Sequence, residues 1–243
     1  MALYRYVKQN PFPRVRPPRI VSALFIVVGI GLLGWTVWPI ISFSAIAEEV
    51  LTKTVSPISD GKTGVRDSIK SSFTNAGQAT ESSAPDYTNA NVWFPTRPQK
   101  KVAVSVNSYT ISIPKLKIDN AVVTIGGDDL VSSLIHYGGT SLPGQYGNAV
   151  IFGHSTLPQF FRPTNYKTIF STLPTLTKGD IFTITYDGIQ YRYKVYDMIV
   201  VDPTDLSPLE QIFDDSYVTL VTCVPPGTYW KRLNVKARLS KTI

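Results

Sequence analysis

Two regimes of apolar patterning divide the chain. From Ile20 to Ala47 no residue is charged, and residues 20–43 read IVSALFIVVGIGLLGWTVWPIISF. A helix needs about 20 apolar residues to cross a hydrocarbon core, so this run predicts one transmembrane helix over 20–43. Gly29, Gly31 and Gly34 are tolerated in such a helix, and Trp35 and Trp38 stand near one end, where interfacial aromatics belong. From about residue 101 the pattern changes to short β-branched runs broken by Gly, Pro, Asn and Asp. Tyr109–Ile113, Ala121–Ile125, Asn148–Phe152, Ile181–Tyr186, Gln190–Val201, Tyr217–Thr222 and Leu233–Leu239 are the predicted strands, and Asp187-Gly188 between two of them is a hairpin turn signal. Strands of this length with turns between them predict a mainly β domain, a closed or nearly closed barrel. One or two short helices are expected in it, with Lys167–Leu173 and Asp128–His136 the candidates.

Between these regimes, Ser, Thr, Asn, Gly and Pro supply 24 of the 50 positions from 51 to 100. That composition reads as a linker or stalk. Within it Val65–Phe73 has some helical amphipathicity, and Val92-Trp93-Phe94-Pro95 is too apolar for a solvated tether. The aromatics are expected to dock, either as the first element of the next domain or as a lid over a groove. The resulting organisation is a basic tail over 1–19, a transmembrane helix over 20–43, a linker over 44–100 and a β-barrel domain over 101–243.

Charge changes the picture in one respect. The 243 residues carry a formal +7, but residues 1–19 hold five basic residues and no acid, while 101–243 hold thirteen basic and eleven acidic residues. The excess sits on the tail, so no nucleic-acid partner is expected. Basic residues before the span, with Glu48 and Glu49 after it, keep the N-terminus cytoplasmic by the positive-inside bias. Everything beyond residue 48 is then extracytoplasmic, on a single-pass cell-membrane protein held by lipid contact through one span. Ala45-Ile46-Ala47 also fits a signal-cleavage pattern, although the apolar run is longer than a usual signal core. One cysteine and two histidines exclude intrachain disulfides and thiolate zinc modules. Asp128-Asp129 and Asp214-Asp215 do not supply a calcium ligand set, so neither metal nor cofactor is expected.

The lone cysteine ends a run, Tyr217–Thr222, that is apolar or β-branched on both faces and therefore reads as a buried central strand. Val224-Pro225-Pro226-Gly227-Thr228 cannot continue it, because two prolines remove ladder donors. The chain then re-enters a strand in which Leu233, Val235, Ala237 and Leu239 face one way and Arg232, Asn234, Lys236 and Arg238 the other. Cys223 and Arg232 thus become neighbours across a hairpin, with Cys223 open to whatever lies beyond the strand. A guanidinium beside a thiol favours the thiolate, and its fork of donors can hold an oxyanion. A proton carrier must be His136 or His154. His154 is better placed, since it follows Asn148–Gly153 at a strand terminus, whereas His136 in Leu134–Tyr137 reads as a partly buried structural residue.

These residues carry a resemblance. Thr219-Leu220-Val221-Thr222-Cys223 is similar to the TLxTC signature of the sortases, membrane-anchored cysteine transpeptidases. Arg232 follows at a spacing seen in members with a short loop after the cysteine, and Gly153-His154-Ser155 resembles the family's strand-end histidine. Gly139–Gly144 with Gly147-Asn148, and Ile113-Pro114-Lys115-Leu116, resemble further family segments, so the likeness spans about 109–239. It implies an eight-stranded sortase barrel in which Cys223 attacks the Thr–Gly bond of an LPXTG-like sorting signal on a secreted protein, giving a thioester. His154 is then the acid and base, Arg232 the oxyanion and peptide holder, and Thr222 and Ser155 substrate-binding neighbours. The acceptor is an amine of a peptidoglycan precursor or a pilin lysine. The loop Val224–Trp230 is shorter than that of housekeeping members, so the subclass stays open. Asp86-Tyr87 with Trp93-Phe94-Pro95 has the ingredients of the acidic-Pro-aromatic lid of some pilin-building members in another order, and no lid is carried over. Leu173-Pro174-Thr175-Leu176 breaks the sorting pattern at its fourth position, so the chain reads as the enzyme and not as a client. Two other classes remain: a tethered β-domain that only binds surface proteins, and a hydrolase of sorting signals.

Overall fold

In the computed structural model, the described residues are 19–50, 86–94, 97, 99–100 and 106–240. The basic tail before Arg19 and the amphipathic piece at 65–73 lie outside them. Helix α1, Arg19–Val50, contains Pro39 and no acidic residue in its first turn. Within it Val21–Phe43, 23 residues, is long and apolar enough to cross a membrane.

The second unit is a closed barrel of eight strands: β1 Ser108–Ile113, β2 Ile118–Ile125, β3 Leu134–His136, β4 Gly147–Phe152, β5 Ile181–Tyr186, β6 Ile189–Val201, β7 Ser216–Val224 and β8 Lys231–Leu239. Around the barrel they run β1-β2-β3-β4-β7-β8-β6-β5. Pairs β2–β3 and β4–β7 are parallel and the other neighbours antiparallel. The β5–β6 hairpin turns at Asp187 and Gly188 with φ of 50° and 74°, the positive pair that matches the twist of the flanking strands.

The interior is apolar, with Ile111, Ile151, Phe182, Leu220 and Val235 fully enclosed. On β4 and β7 the outward-facing residues are enclosed too. Val150, Phe152, Val221 and Cys223 belong to a second cluster with Ala90, Trp93, Phe94 and Leu209. Burial on both faces is why 148–152 and 217–223 read as continuous apolar runs in place of an alternation. The second layer comes from residues 86–94 on one side and the connection between β6 and β7 on the other.

The two expected helices are not α-helical. Residues 128–133 form turns that lead into β3, and 167–172 are turns followed by a 3-10 turn at Leu173–Thr175. Pro174 removes a helix donor there, and in the first stretch Leu134, Ile135 and His136 are held by pairing to β2 and β4. The short helical pieces of the barrel among the described residues are three-residue 3-10 turns.

Candidate functional site

The site lies where the ends of β4, β7 and β8 meet. Cys223 and Arg232 are cross-strand partners in the β7–β8 register, nine positions apart in sequence. An Arg232 Nη1–H points at Cys223 Sγ over 3.3 Å and also donates to the Tyr229 carbonyl at 3.3 Å. The predicted neighbours are therefore in contact. Arg232 is 1% exposed and has no carboxylate partner among the described residues, and its Nε is unbonded.

His154 follows β4 by two residues, level with Cys223, because β4 and β7 run parallel with Phe152 opposite Val221. Three hydrogen bonds continue this register beyond the strand. The Gly153 amide donates to the Val221 carbonyl at 3.1 Å, the Thr222 hydroxyl to the Gly153 carbonyl at 2.8 Å, and the Ser155 hydroxyl to the Cys223 carbonyl at 2.6 Å. Both hydroxyls, of the residues expected to be substrate-binding neighbours, thus tie backbone to backbone beside the thiol. Gly153 is required by packing: a Cβ there would lie 2.4 Å from the Phe170 ring and 2.6 Å from Leu134. His154 is buried, and its Nε2 has no hydrogen-bond partner.

The strand end is not open, contrary to the expectation for Cys223. Residues 86–94 lie over it. Their backbone is clamped to the loop before β3: the Ala90 amide donates to the Asp128 carbonyl at 2.8 Å and the Leu130 amide to the Thr88 carbonyl at 3.0 Å. Asp86 caps its own turn through the Thr88 amide and hydroxyl, and the Trp93 indole N–H donates to the Tyr87 carbonyl at 2.9 Å. Trp93, 1% exposed, stands 6.1 Å from the His154 ring centroid, and the Arg232 guanidinium carbon lies 4.8 Å over its ring. Tyr87 stacks on Tyr229 at 4.2 Å. The aromatics singled out in the linker are therefore both a docked element and the roof over thiol, imidazole and guanidinium. Sequence order alone concealed this, because the roof and the site come from segments more than 60 residues apart.

Electrostatics follow from the enclosure. Burial pushes the Cys223 thiol up to about 11, against the opposing pull of Arg232. Burial lowers His154 as well, partly offset by the carboxylates of Asp86 and Asp129. Under the roof the proton rests on sulfur and the imidazole is neutral, so the guanidinium alone does not make the thiolate expected from sequence. The set can nevertheless supply a sulfur nucleophile, a proton carrier and fixed donors for an oxyanion once water and substrate reach it.

His136 is elsewhere in the chemistry. At the end of β3 it is fully buried, with Nδ1 2.8 Å from the Tyr109 hydroxyl and Nε2 3.1 Å from the Thr140 hydroxyl. Both ring nitrogens are occupied.

A closed barrel with a single thiol in contact with a guanidinium, and an imidazole at the adjacent strand end, defines a class of cysteine acyl-transfer protein. The sortase-domain family model matches residues 111–240, so the chain belongs to the sortase family and is a cysteine transpeptidase of that type. Sortase C-1 from Actinomyces oris is similar at 30% identity with a TM-score of 0.50, over 57% of this chain and 76% of its own. The complex of Streptococcus agalactiae sortase C1 and MTSET is similar at 28% identity and a TM-score of 0.50, over 58% and 72%. A lid mutant of sortase A from Corynebacterium diphtheriae shares 30% identity with a TM-score of 0.49, over 58% and 74%. No curated protein matches the sequence.

Proposed function

We propose that this protein cleaves an LPXTG-like sorting signal between Thr and Gly and joins the new acyl end to an amine, of a peptidoglycan precursor or of a pilin lysine. The observation that carries the reading is the contact of Arg232 Nη1 with Cys223 Sγ beside the unbonded Nε2 of His154. Cys223 is the nucleophile: its thiol proton passes to His154, its sulfur bonds the Thr carbonyl carbon, the C–N bond breaks, and His154 delivers that proton to the departing amine. The incoming amine then attacks the thioester, gives its proton to His154, and returns the sulfur. Arg232 holds the oxyanion in both tetrahedral steps. Thr222 and Ser155 act as positioning residues, since their hydroxyls tie the Gly153–Ser155 loop to the end of β7.

The roof must leave before a peptide can reach sulfur, because Cys223 is 1% exposed beneath it. Its removal lowers the thiol and raises the imidazole in affinity for protons, both towards the pair that catalysis needs. The span at Val21–Phe43 supports a single membrane anchor. With the basic tail inside, the barrel faces secreted proteins outside the cell; a protease added to intact cells then removes the barrel, and a protected barrel overturns that orientation.

Product analysis tests the function. Incubated with a dye-labelled LPXTG-like peptide and a diamino acceptor, the protein should give an amide-linked product, absent from Cys223→Ala. Free acid as the main product despite saturating amine favours a hydrolase, and no cleavage of any such peptide favours a tethered binding domain.

A further inference from the structure

Three cross-strand pairs descend the outer face of β7 and β8 from the thiol: Cys223 with Arg232, Val221 with Asn234, and Thr219 with Lys236. Successive pairs are about 6.8 Å apart, the same repeat as two residues of an extended peptide. Side chains in the top pair bond each other. In the lowest pair the Thr219 hydroxyl donates to Asn148 Oδ1 at 2.9 Å, and Lys236 edges a surface depression with Asn148, Ser207 and Glu210. The middle pair differs. Asn234 is 0% exposed, and neither its Oδ1 nor its Nδ2 has a hydrogen-bond partner.

That amide is not directed into the barrel. Its strand neighbours Leu233 and Val235 belong to the interior cluster, whereas Val221 opposite it belongs to the layer under the roof. On the far side Asn234 pairs with Ile199 of β6. A side chain of its size between two β-branched apolar residues is a position where leucine or isoleucine packs at no polar cost. An enclosed donor and acceptor left open, one step from the thiol on the same outer face of β7 and β8, is a poor packing residue and a good recognition group.

We propose that Asn234 is a specificity-determining residue that hydrogen-bonds a polar side chain on the acyl side of the cleaved peptide, whose chain runs from Cys223 over Asn234 towards the depression at Lys236. The inference rests on the acyl-transfer reading of Cys223. The ligand is an extended peptide segment carrying an amide or hydroxyl side chain a few residues before the cleaved bond. A site with an open amide in an apolar surround rejects the apolar isostere, because binding it leaves the amide unpaired.

The test is a competition on the full chain in detergent. Paired LPXTG-like peptides differing at each of the three positions before the threonine, Asn against Leu and Thr against Val, are mixed, and Cys223 adducts are weighed by intact mass. The unmodified protein should favour the hydrogen-bonding member at one position by about tenfold or more, and Asn234→Leu should abolish or invert that ratio while leaving the other positions unmoved. Asn234→Val is the smaller second variant should leucine overfill the site. A thermal midpoint that rises in either variant while the ratio inverts fits a residue kept for recognition. Ratios that stay within twofold of the unmodified protein overturn the assignment, as an amide that only holds a buried water predicts. If no peptide gives an adduct on the unmodified protein, the reading of Cys223 fails and this proposal falls with it; adducts indifferent to Asn234 overturn this proposal alone.

Discussion

The chain has two histidines, each at or just beyond a strand end and each buried, and their surroundings differ in one respect. Around His136 every polar atom is spoken for: Tyr109 takes one ring nitrogen and Thr140 the other, and burial depresses the imidazole to about 4. On the face that carries His154 several buried polar atoms are open. The His154 Nε2, the Arg232 Nε and both Asn234 side-chain atoms lack partners, and the enclosure there is a short segment, 86–94, resting on the barrel wall. Buried polar groups are normally bonded, so a satisfied group points to structure and a cluster of unsatisfied ones points to chemistry. The comparison supports the proposal that His154 carries the proton while His136 holds β3 in place.

The largest effect that can break this comparison is on turnover. His154→Ala should lower single-turnover acylation of Cys223 by about 10²- to 10⁴-fold, the usual worth of a positioned acid-base group. His136→Ala should change the rate per folded molecule only a few-fold while lowering the thermal midpoint. Stopped-time acylation and melting curves on both variants check this, and the reverse ranking would dismantle it.

Next comes the roof. Trp93→Ala opens the covering layer, so the thiol should fall from about 11 towards its ordinary value near 8.5, raising the thiolate fraction at neutral pH by on the order of 100-fold. Iodoacetamide labelling of Cys223 against pH reads this directly. An unchanged profile would mean that the barrel itself, and not segment 86–94, enforces the protonated thiol.

A smaller loss is expected for Arg232→Lys. The ammonium keeps the charge but not the planar guanidinium whose Nη1 reaches both Sγ and the Tyr229 carbonyl, so acylation should drop about tenfold. A fully active variant would remove the oxyanion role.

The smallest and broadest effect concerns acid. The folded state holds His136 neutral down to about 4, while the unfolded chain protonates near 6.5. Between those values the unfolded chain binds more protons, so stability falls as pH is lowered across the interval, by up to about 3 kcal/mol. Melting of the detergent-solubilised chain at pH 7 and pH 5 tests this, and His136→Phe should flatten the dependence.

Much of this is legible in the sequence. Long strands announced themselves by alternation or by two-sided apolar runs, and the Cys223–Arg232 contact followed from a hairpin whose turn cannot continue a strand. β3 was not legible, because three residues carry no period and its pairing to β2 is parallel and non-local. The roof was half legible: Trp93-Phe94 was too apolar for a tether, yet where it docks depends on the loop at 128–130, far away in sequence. Asn234 was misleading. It falls in the alternation Arg232, Asn234, Lys236, Arg238 that marks a polar face, and only the covering layer makes it a buried amide.

The most direct test of the central claim is to weigh the full chain after mixing with an LPXTG-like peptide and to map the modified residue. The account predicts a mass gain equal to the peptide up to its threonine, carried on Cys223, lost when an amine is added, and absent from Cys223→Ala. A folded protein whose Cys223 acquires no such thioester from any peptide of this kind, even with Trp93→Ala lifting the roof, would contradict it.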